Sequence, residues 1–198
     1  GGNDLIALSG VSYNYQSDWV DGGTGTDRLD LNFANDSGYF TLKTYTSETD
    51  TSPTVLSNVS SHQDIKSALS TAVRFAYDGH YNDVEWRGIE TVNVATGGGG
   101  DLLVYQNGTS YLGGAGMDAF YADWSGATQA ILWDNAPTGA PLSLANGVKV
   151  GGLERLLLTT GSGNDVIKNT QVAVSDRIDT RGGNDLIALS GVSYNYQS

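Results

Sequence analysis

The sequence predicts an all-β protein in which short strands turn sharply, stack coil on coil as a β-solenoid, and carry inserted strand and loop segments. Three observations predict it. A glycine-rich turn closing on aspartate recurs in phase along the 198 residues. Weaker aspartate turns fall nine residues from the strong ones. The first seventeen residues, GGNDLIALSGVSYNYQS, return unchanged at 182–198, displaced by 181 positions. Repetition at short period marks architectures in which each unit buries its apolar face against the next.

The strong turns are GGTGTDRLD around Asp27, TGGGGDLLV around Asp101, GGAGMDAFY around Asp118, TGSGNDVIK around Asp165 and TRGGNDLIA around Asp185, with Asp4 the copy of Asp185. Two positions before each aspartate stands Gly25, Gly99, Gly116, Gly163 or Gly183; two positions after it stands Leu29, Leu103, Phe120, Ile167 or Ile187. The pattern is G-G-x-G-x-D-x-U-x, six residues of turn and three of strand. Glycine allows positive φ and keeps carbonyls clear of side chains. The apolar residue points inward to form a ladder. Between strong turns lie half-turns stripped of glycine: Asp18-Trp-Val-Asp21, Ser110-Tyr-Leu and Asp176-Arg-Ile-Asp179. Nine residues per half-turn and about eighteen per coil, with small insertions on one side, is the period read from these spacings.

A longer duplication encloses the turns. Gly88-Ile-Glu-Thr-Val leads to Asp101, and Gly152-Leu-Glu-Arg-Leu leads to Asp165, an offset of 64. AVRFAYD (72–78) likewise matches TQAILWD (128–134). Residues 39–46 alternate as a strand does, and Ser/Thr-rich 47–63 reads as an exposed loop. The stretch 64–77 places Ile65, Leu69, Ala72 and Ala76 on one helical face, but its second half reads as strand by the match to 128–134. The segments are therefore 1–33, turns continuing the run 152–198 of a preceding unit; 34–87, inserted strands and loop; 88–121, a second run of turns; 122–151, an insert; and 152–198, a run ending in the repeat.

Ten basic residues stand against 22 acidic ones, a net charge of −12. Such a chain repels nucleic acid and anionic membrane and attracts cations. Cysteine is absent, which excludes disulfides and thiolate metal sites. No apolar run is long enough to cross a bilayer as a helix. Coils stacked at about 4.8 Å bring aspartates of successive coils together. Two such charges repel by roughly 3 kcal/mol at an effective dielectric near 20 unless a cation sits between them. Carboxylate and carbonyl oxygens without His or Cys suit a hard ion, and a flexible site of six to eight oxygens suits Ca²⁺ better than Mg²⁺.

At these residues the sequence resembles the RTX (hemolysin-type calcium-binding) nonapeptide repeats, which GGTGTDRLD and GGAGMDAFY match position for position. The resemblance covers about 60 residues directly and about two thirds of the chain if the G-[IL]-E strands are counted. It implies a parallel β-roll with Ca²⁺ bound between consecutive turns, and export of an unfolded chain by a type I system, with a C-terminal export signal lying beyond residue 198. The family's aspartate ligand falls on Asp27, Asp101, Asp118, Asp165 and Asp185, and on Asp4 as the copy, paired as 4/27, 101/118 and 165/185. Carbonyl ligands would come from Gly22, Thr24, Gly113, Ala115, Gly161 and Gly163. Departures are Arg181, in place of a turn glycine, and the glycine-poor half-turns at Asp18, Ser110 and Asp176, so metal on the far side is not implied.

No Ser/His/Asp spacing, phosphate loop or carboxylate pair stands apart from the aspartate ladder, so no catalytic site is expected. His62 and His80 are isolated and read as loop residues. Trp19, Trp86, Trp124 and Trp133, with Tyr13, Tyr15, Tyr194 and Tyr196, could stack on sugars, but read first as core or inter-coil ladder residues. Three sequons begin at Asn35, Asn58 and Asn107.

Identical residues one period apart point to an array of nearly identical units sharing one ladder. The expected function is a calcium-stiffened structural repeat of a giant extracellular bacterial protein, a surface or matrix filament or an adhesin stalk. Its expected partners are further copies, covalent or head-to-tail, and after them cell-surface or matrix glycans; nucleic acid and membrane insertion are not expected. Two alternatives are a calcium-binding type I secretion module attached to a secreted enzyme, and a glycan-binding module.

Overall fold

The computed structural model of the chain describes residues 1–11, 15–136, 140–171 and 175–190. Tyr13, Tyr194, Tyr196 and the end of the repeat at 191–198 lie outside the described residues.

Three sheets are built of stacked parallel strands. The first runs β1 (Leu5–Val11), β3 (Arg28–Asn35), β8 (Thr91–Ala95), β10 (Ser110–Leu112), β14 (Lys149–Gly151) and β13 (Leu142–Ser143), parallel except for the last pair. The second runs β17 (Arg177–Asp179), β15 (Arg155–Thr159), β11 (Ala119–Asp123) and β9 (Leu102–Val104), all parallel. The third runs β12 (Leu132–Asn135), β16 (Val166–Asn169) and β18 (Leu186–Leu189), also parallel. A fourth, mixed sheet runs β2 (Gln16–Asp21), β7 (Asn82–Arg87), β6 (Arg74–Asp78), β4 (Thr41–Tyr45) and β5 (Thr54–Leu56); only β2 and β7 pair in parallel.

The expected apolar ladder forms. Leu29, Leu103, Phe120 and Ile167 are fully buried. Leu29 stands opposite Ile6 and Val92, Phe120 opposite Leu103 and Leu156, and Ile167 opposite Trp133 and Ile187. Ile187, on the last layer, is 42% exposed. Rings of Tyr111, Phe120, Trp124 and Trp133 pack between the sheets, with Phe120 and Trp133 at 5.9 Å and Phe120 and Tyr111 at 5.1 Å.

The all-β parallel β-roll is not what the chain forms. Among the described residues it holds an α-helix and four separate sheets, one of them largely antiparallel, and no closed solenoid. The reason is the length of the insertions. Stacked layers are separated by 17, 20, 23, 34, 36 and 63 residues, not by a constant eighteen. The inserted segment 34–87 is long enough to make its own sheet. Strands 74–78 and 82–87 are joined by only three residues, a length that an antiparallel pair accepts and a parallel pair does not. Residues 47–63 also contribute β5, whose Leu56 is buried, so they are not a plain exposed loop.

The helix α1 (His62–Thr71) occupies the first half of the ambiguous stretch, and strand β6 the second. Its start is written locally. The Ser61 hydroxyl accepts the Asp64 amide at 3.1 Å, and Asp64 adds a negative charge in the first turn. Ile65 is buried where the helix meets β4 and β5. Ser61→Ala is expected to lower stability by about 1 kcal/mol, read as a lower Tm; an unchanged Tm would mean that packing of Ile65 alone holds this turn.

Candidate metal centres

The aspartate turns assemble into relays running through the three parallel sheets. Each carboxylate Oδ1 accepts the backbone amide of the corresponding residue in the preceding layer. In the first sheet the Asp4 amide donates to Asp27 Oδ1 at 2.8 Å, and the Asp27 amide to Glu90 Oε2 at 2.7 Å. In the second, the Phe40 amide donates to Asp101 Oδ1, the Asp101 amide to Asp118 Oδ1 and the Asp118 amide to Glu154 Oε2, at 2.7, 2.8 and 2.8 Å. The Leu156 amide reaches Asp176 Oδ1 at 2.8 Å in the same way. In the third, the Ile131 amide donates to Asp165 Oδ1 and the Asp165 amide to Asp185 Oδ1, at 2.7 and 2.9 Å. The groupings 4/27, 101/118 and 165/185 are thus neighbours, joined amide to carboxylate.

Sequence reading missed Glu90 and Glu154 as members of these relays. Their signal was the invariant Glu of the two G-[IL]-E strands. It stands immediately before a strand, where the turns put aspartate.

One oxygen per aspartate serves the relay, and the fate of the other separates the sites. Asp27, Asp101, Asp118 and Asp165 are fully buried. Asp165 Oδ2 receives the Thr160 hydroxyl. Asp27 Oδ2, Asp101 Oδ2 and Asp118 Oδ2 are buried without a hydrogen-bond partner, a costly state for a carboxylate oxygen. Asp4 is exposed and Asp185 half-buried.

Two of these oxygens face a cradle that only glycine permits. A Cβ on Gly22 would lie 2.8 Å from Asp27 Oδ2 and would overlap the Gly88 carbonyl oxygen. A Cβ on Gly113 would lie 2.7 Å from Asp118 Oδ2 and would overlap the Gly152 carbonyl oxygen. The same arrangement is therefore built twice, each time between a strong turn and a G-[IL]-E strand. Gly22 and Gly113 are buried, whereas Thr24 and Ala115 are exposed at the tips of the turns. The Thr24 carbonyl accepts the Gly2 amide at 2.9 Å and the Gly161 carbonyl accepts the Gly182 amide at 3.1 Å. Gly163 is buried, and a Cβ on Gly183 of the next layer would overlap its carbonyl oxygen. Arg181 keeps the backbone of the glycine it replaces, with φ 51°.

An unpartnered buried carboxylate oxygen, with carbonyl oxygen beside it and no nitrogen or sulfur donor, is a donor set that fits a hard divalent cation. Among the described residues no three His, Cys, Asp or Glu side chains converge; each cradle offers one carboxylate and otherwise backbone oxygens.

Burial raises the Asp118 pKa to about 8, with the Asp101 and Glu154 carboxylates adding to the rise, and raises that of Asp101 to about 6. Both exceed the ordinary 3.8, so the folded chain holds protons that the unfolded chain releases. Stability in chelator is therefore expected to fall as pH rises from about 4 to about 8, then to level off. Tm against pH in EDTA checks this; a Tm rising across that window would mean that these carboxylates are ionised and well solvated.

The other singled-out residues lie elsewhere. The His62 ring is 3.2 Å from the Thr159 hydroxyl and lies tilted at 45° against the Tyr121 ring, with its pKa lowered by burial. His80 is exposed on the loop between β6 and β7, its ring edge-on to Tyr81. Trp86, Trp124 and Trp133 are buried; Trp19 is 52% exposed between the Arg74 and Arg87 guanidinium groups.

Comparison with protein-family models, curated proteins and solved structures finds no match to the chain. No helix among the described residues is long and apolar enough to cross a membrane.

Proposed function

We propose that the chain is a calcium-stabilised structural repeat of a large extracellular bacterial protein, a surface or matrix filament or an adhesin stalk, with no catalytic role. The observation that carries this reading is the twice-built cradle of Asp27 and Asp118, each with a buried oxygen that lacks a partner. Asp27 with the backbone oxygens of Gly22 and Gly88 would hold one ion, and Asp118 with those of Gly113 and Gly152 a second. Calcium bound there would balance the buried carboxylate charge and tie neighbouring layers together. The RTX-like turns, the net charge of −12 and the recurrence of residues 1–17 support the same reading. Burial of three of the four tryptophans takes them out of any sugar-stacking face.

Thermal unfolding in EDTA and in rising calcium tests it. At a free concentration 100 times Kd, each site is expected to contribute about 2.7 kcal/mol, or roughly 5–10 °C in Tm for a chain of this size. A Tm indifferent to millimolar calcium would leave the turns as amide caps alone.

A further inference from the structure

Four of the aspartate turns share one backbone arrangement and differ in the residue that opens them. That residue stands five positions before the aspartate: Gly22 before Asp27, Thr96 before Asp101, Gly113 before Asp118 and Thr160 before Asp165. All four are buried. Each donates its amide to a carbonyl of the next layer, on Arg87, Leu112, Gly151 and Asp179, at 3.1, 2.8, 2.9 and 2.9 Å. The residues that follow those acceptors are Gly88, Gly113, Gly152 and Thr180. The four opening residues therefore meet the next layer at the same step, and their side chains decide what lies between the carboxylate and the next carbonyl.

Glycine leaves that place open. A Cβ on Gly22 would lie 2.8 Å from Asp27 Oδ2 and 2.0 Å from the Gly88 carbonyl oxygen. A Cβ on Gly113 would lie 2.7 Å from Asp118 Oδ2 and 2.1 Å from the Gly152 carbonyl oxygen. Any side chain there would stand between the two oxygens.

Threonine puts a hydroxyl in the same place. The Thr160 hydroxyl donates to Asp165 Oδ2. The Thr96 hydroxyl donates to the Gly113 carbonyl at 2.8 Å, the counterpart of the Gly88 and Gly152 carbonyls. Burial raises the Asp101 pKa, and the Thr96 hydroxyl is near enough to the carboxylate to oppose that rise. A hydroxyl carries one proton, so it serves one side at a time. Thr160 bonds on the carboxylate side and Thr96 on the carbonyl side.

We propose that the opening residue of each turn selects whether that turn takes an ion. Glycine at positions 22 and 113 admits calcium, whereas the hydroxyls of Thr96 and Thr160 take the ion's place and close the Asp101 and Asp165 turns. The same rule closes the Asp185 turn, which opens with Thr180. This rests on the calcium reading and names what restricts it to two sites. Hydroxyl and cation are alternatives because both compete for the same pair of oxygens. A carboxylate oxygen bonded to a hydroxyl needs no metal, whereas one facing glycine stays uncompensated until an ion arrives. The Asp165 turn thus holds its layers together without calcium, and the Asp27 and Asp118 turns tighten only with it.

Calcium bound per chain, counted by equilibrium dialysis with excess magnesium to occupy loose surface carboxylates, tests the rule. The parent is expected to bind two ions. Thr160→Gly is expected to bind three, and to show a Tm below the parent's in EDTA that calcium restores. Thr160→Ser keeps the hydroxyl and is expected to bind two. Two ions in a folded Thr160→Gly would overturn the proposal, because the turn would then stay closed without its hydroxyl. Three or more in the parent would overturn it as well. Should Thr160→Gly not fold, Asp165→Asn decides, since its Oδ1 still caps the Ile131 amide. It is expected to keep both ions while Asp118→Asn loses one; loss of an ion from Asp165→Asn would overturn the proposal. The two readings fail differently. A parent that binds no calcium loses the calcium reading and this rule with it, whereas two ions in both the parent and Thr160→Gly remove the rule alone.

Discussion

The double variant Asp27→Asn, Asp118→Asn is expected to lose nearly all of the calcium-dependent rise in Tm and to keep its Tm in EDTA. Asparagine retains the Oδ1 that caps the Asp4 and Asp101 amides, so the relay between layers survives. What disappears is the negative charge and the unpartnered Oδ2 facing each glycine cradle. In chelator that oxygen is a liability, because burial holds the Asp118 carboxyl in its neutral form up to a pH of about 8. Its replacement therefore costs little there and relieves the fall in stability toward alkaline pH. In calcium, losing two sites removes about 5 kcal/mol at 100 times Kd. Thermal scans of both proteins, with and without calcium, read the effect. If the double variant responded to calcium as the parent does, the ions would have to sit elsewhere.

Gly116→Ala is expected to destabilise the chain by about 3–5 kcal/mol, or roughly 6–20 °C in Tm, whether calcium is present or not. Gly116 has φ 143°, a conformation that alanine resists. Its would-be Cβ also overlaps the carbonyl oxygen of Gly99 in the layer beneath. That atom is backbone, so no rotamer change relieves the clash; the layers themselves must separate. The comparison is Gly126→Ala, where nothing lies within 4 Å and φ is ordinary, and where a change within about 0.5 kcal/mol is expected. Similar Tm values for the two variants would mean that the glycine turns are not in close stacking contact.

Legibility in the sequence followed the range of the interactions. The turn-and-ladder grammar is local. A glycine, an aspartate two residues on and an apolar residue two further located the strands at 28, 102, 119, 166 and 186 and their buried residues Leu29, Leu103, Phe120 and Ile167. The apolar face of Ile65 and Leu69 is local too, which is why the first half of 64–77 could be read as helix, although the Ser61 cap that starts it went unread. What stacks on what is not local. Strand β3 pairs on one side with β1 and on the other with β8, 63 residues away along the relay and preceded by no aspartate turn. Alternation in YFTLKTYT and AVRFAYD fixed strand character but not direction, since period two is common to parallel and antiparallel pairs. Those two segments therefore went into a mixed sheet that the regular period gave no cause to expect. The LIALS strand shows the limit most plainly: the same five residues meet Arg28 at one end of the chain and Val166 at the other.

The carboxylates were legible as a set and not as individuals. Spacing put all six in equivalent places, but their second oxygens differ. A hydroxyl from Thr160, five residues upstream, satisfies Asp165, while Asp27 and Asp118 are left facing glycine. That distinction depends on the residue that opens each turn and on what the neighbouring layer presents, and the aspartate spacing does not record it.

The most direct measurement of the central claim is anomalous diffraction from crystals grown in calcium, recorded at a wavelength where calcium scatters anomalously. The account predicts two peaks, each about 2.3–2.6 Å from Asp27 Oδ2 or Asp118 Oδ2, in contact with backbone oxygens of the adjoining glycine turns. A folded chain in which both carboxylates meet only protein or water, with no anomalous density beside either, would contradict it.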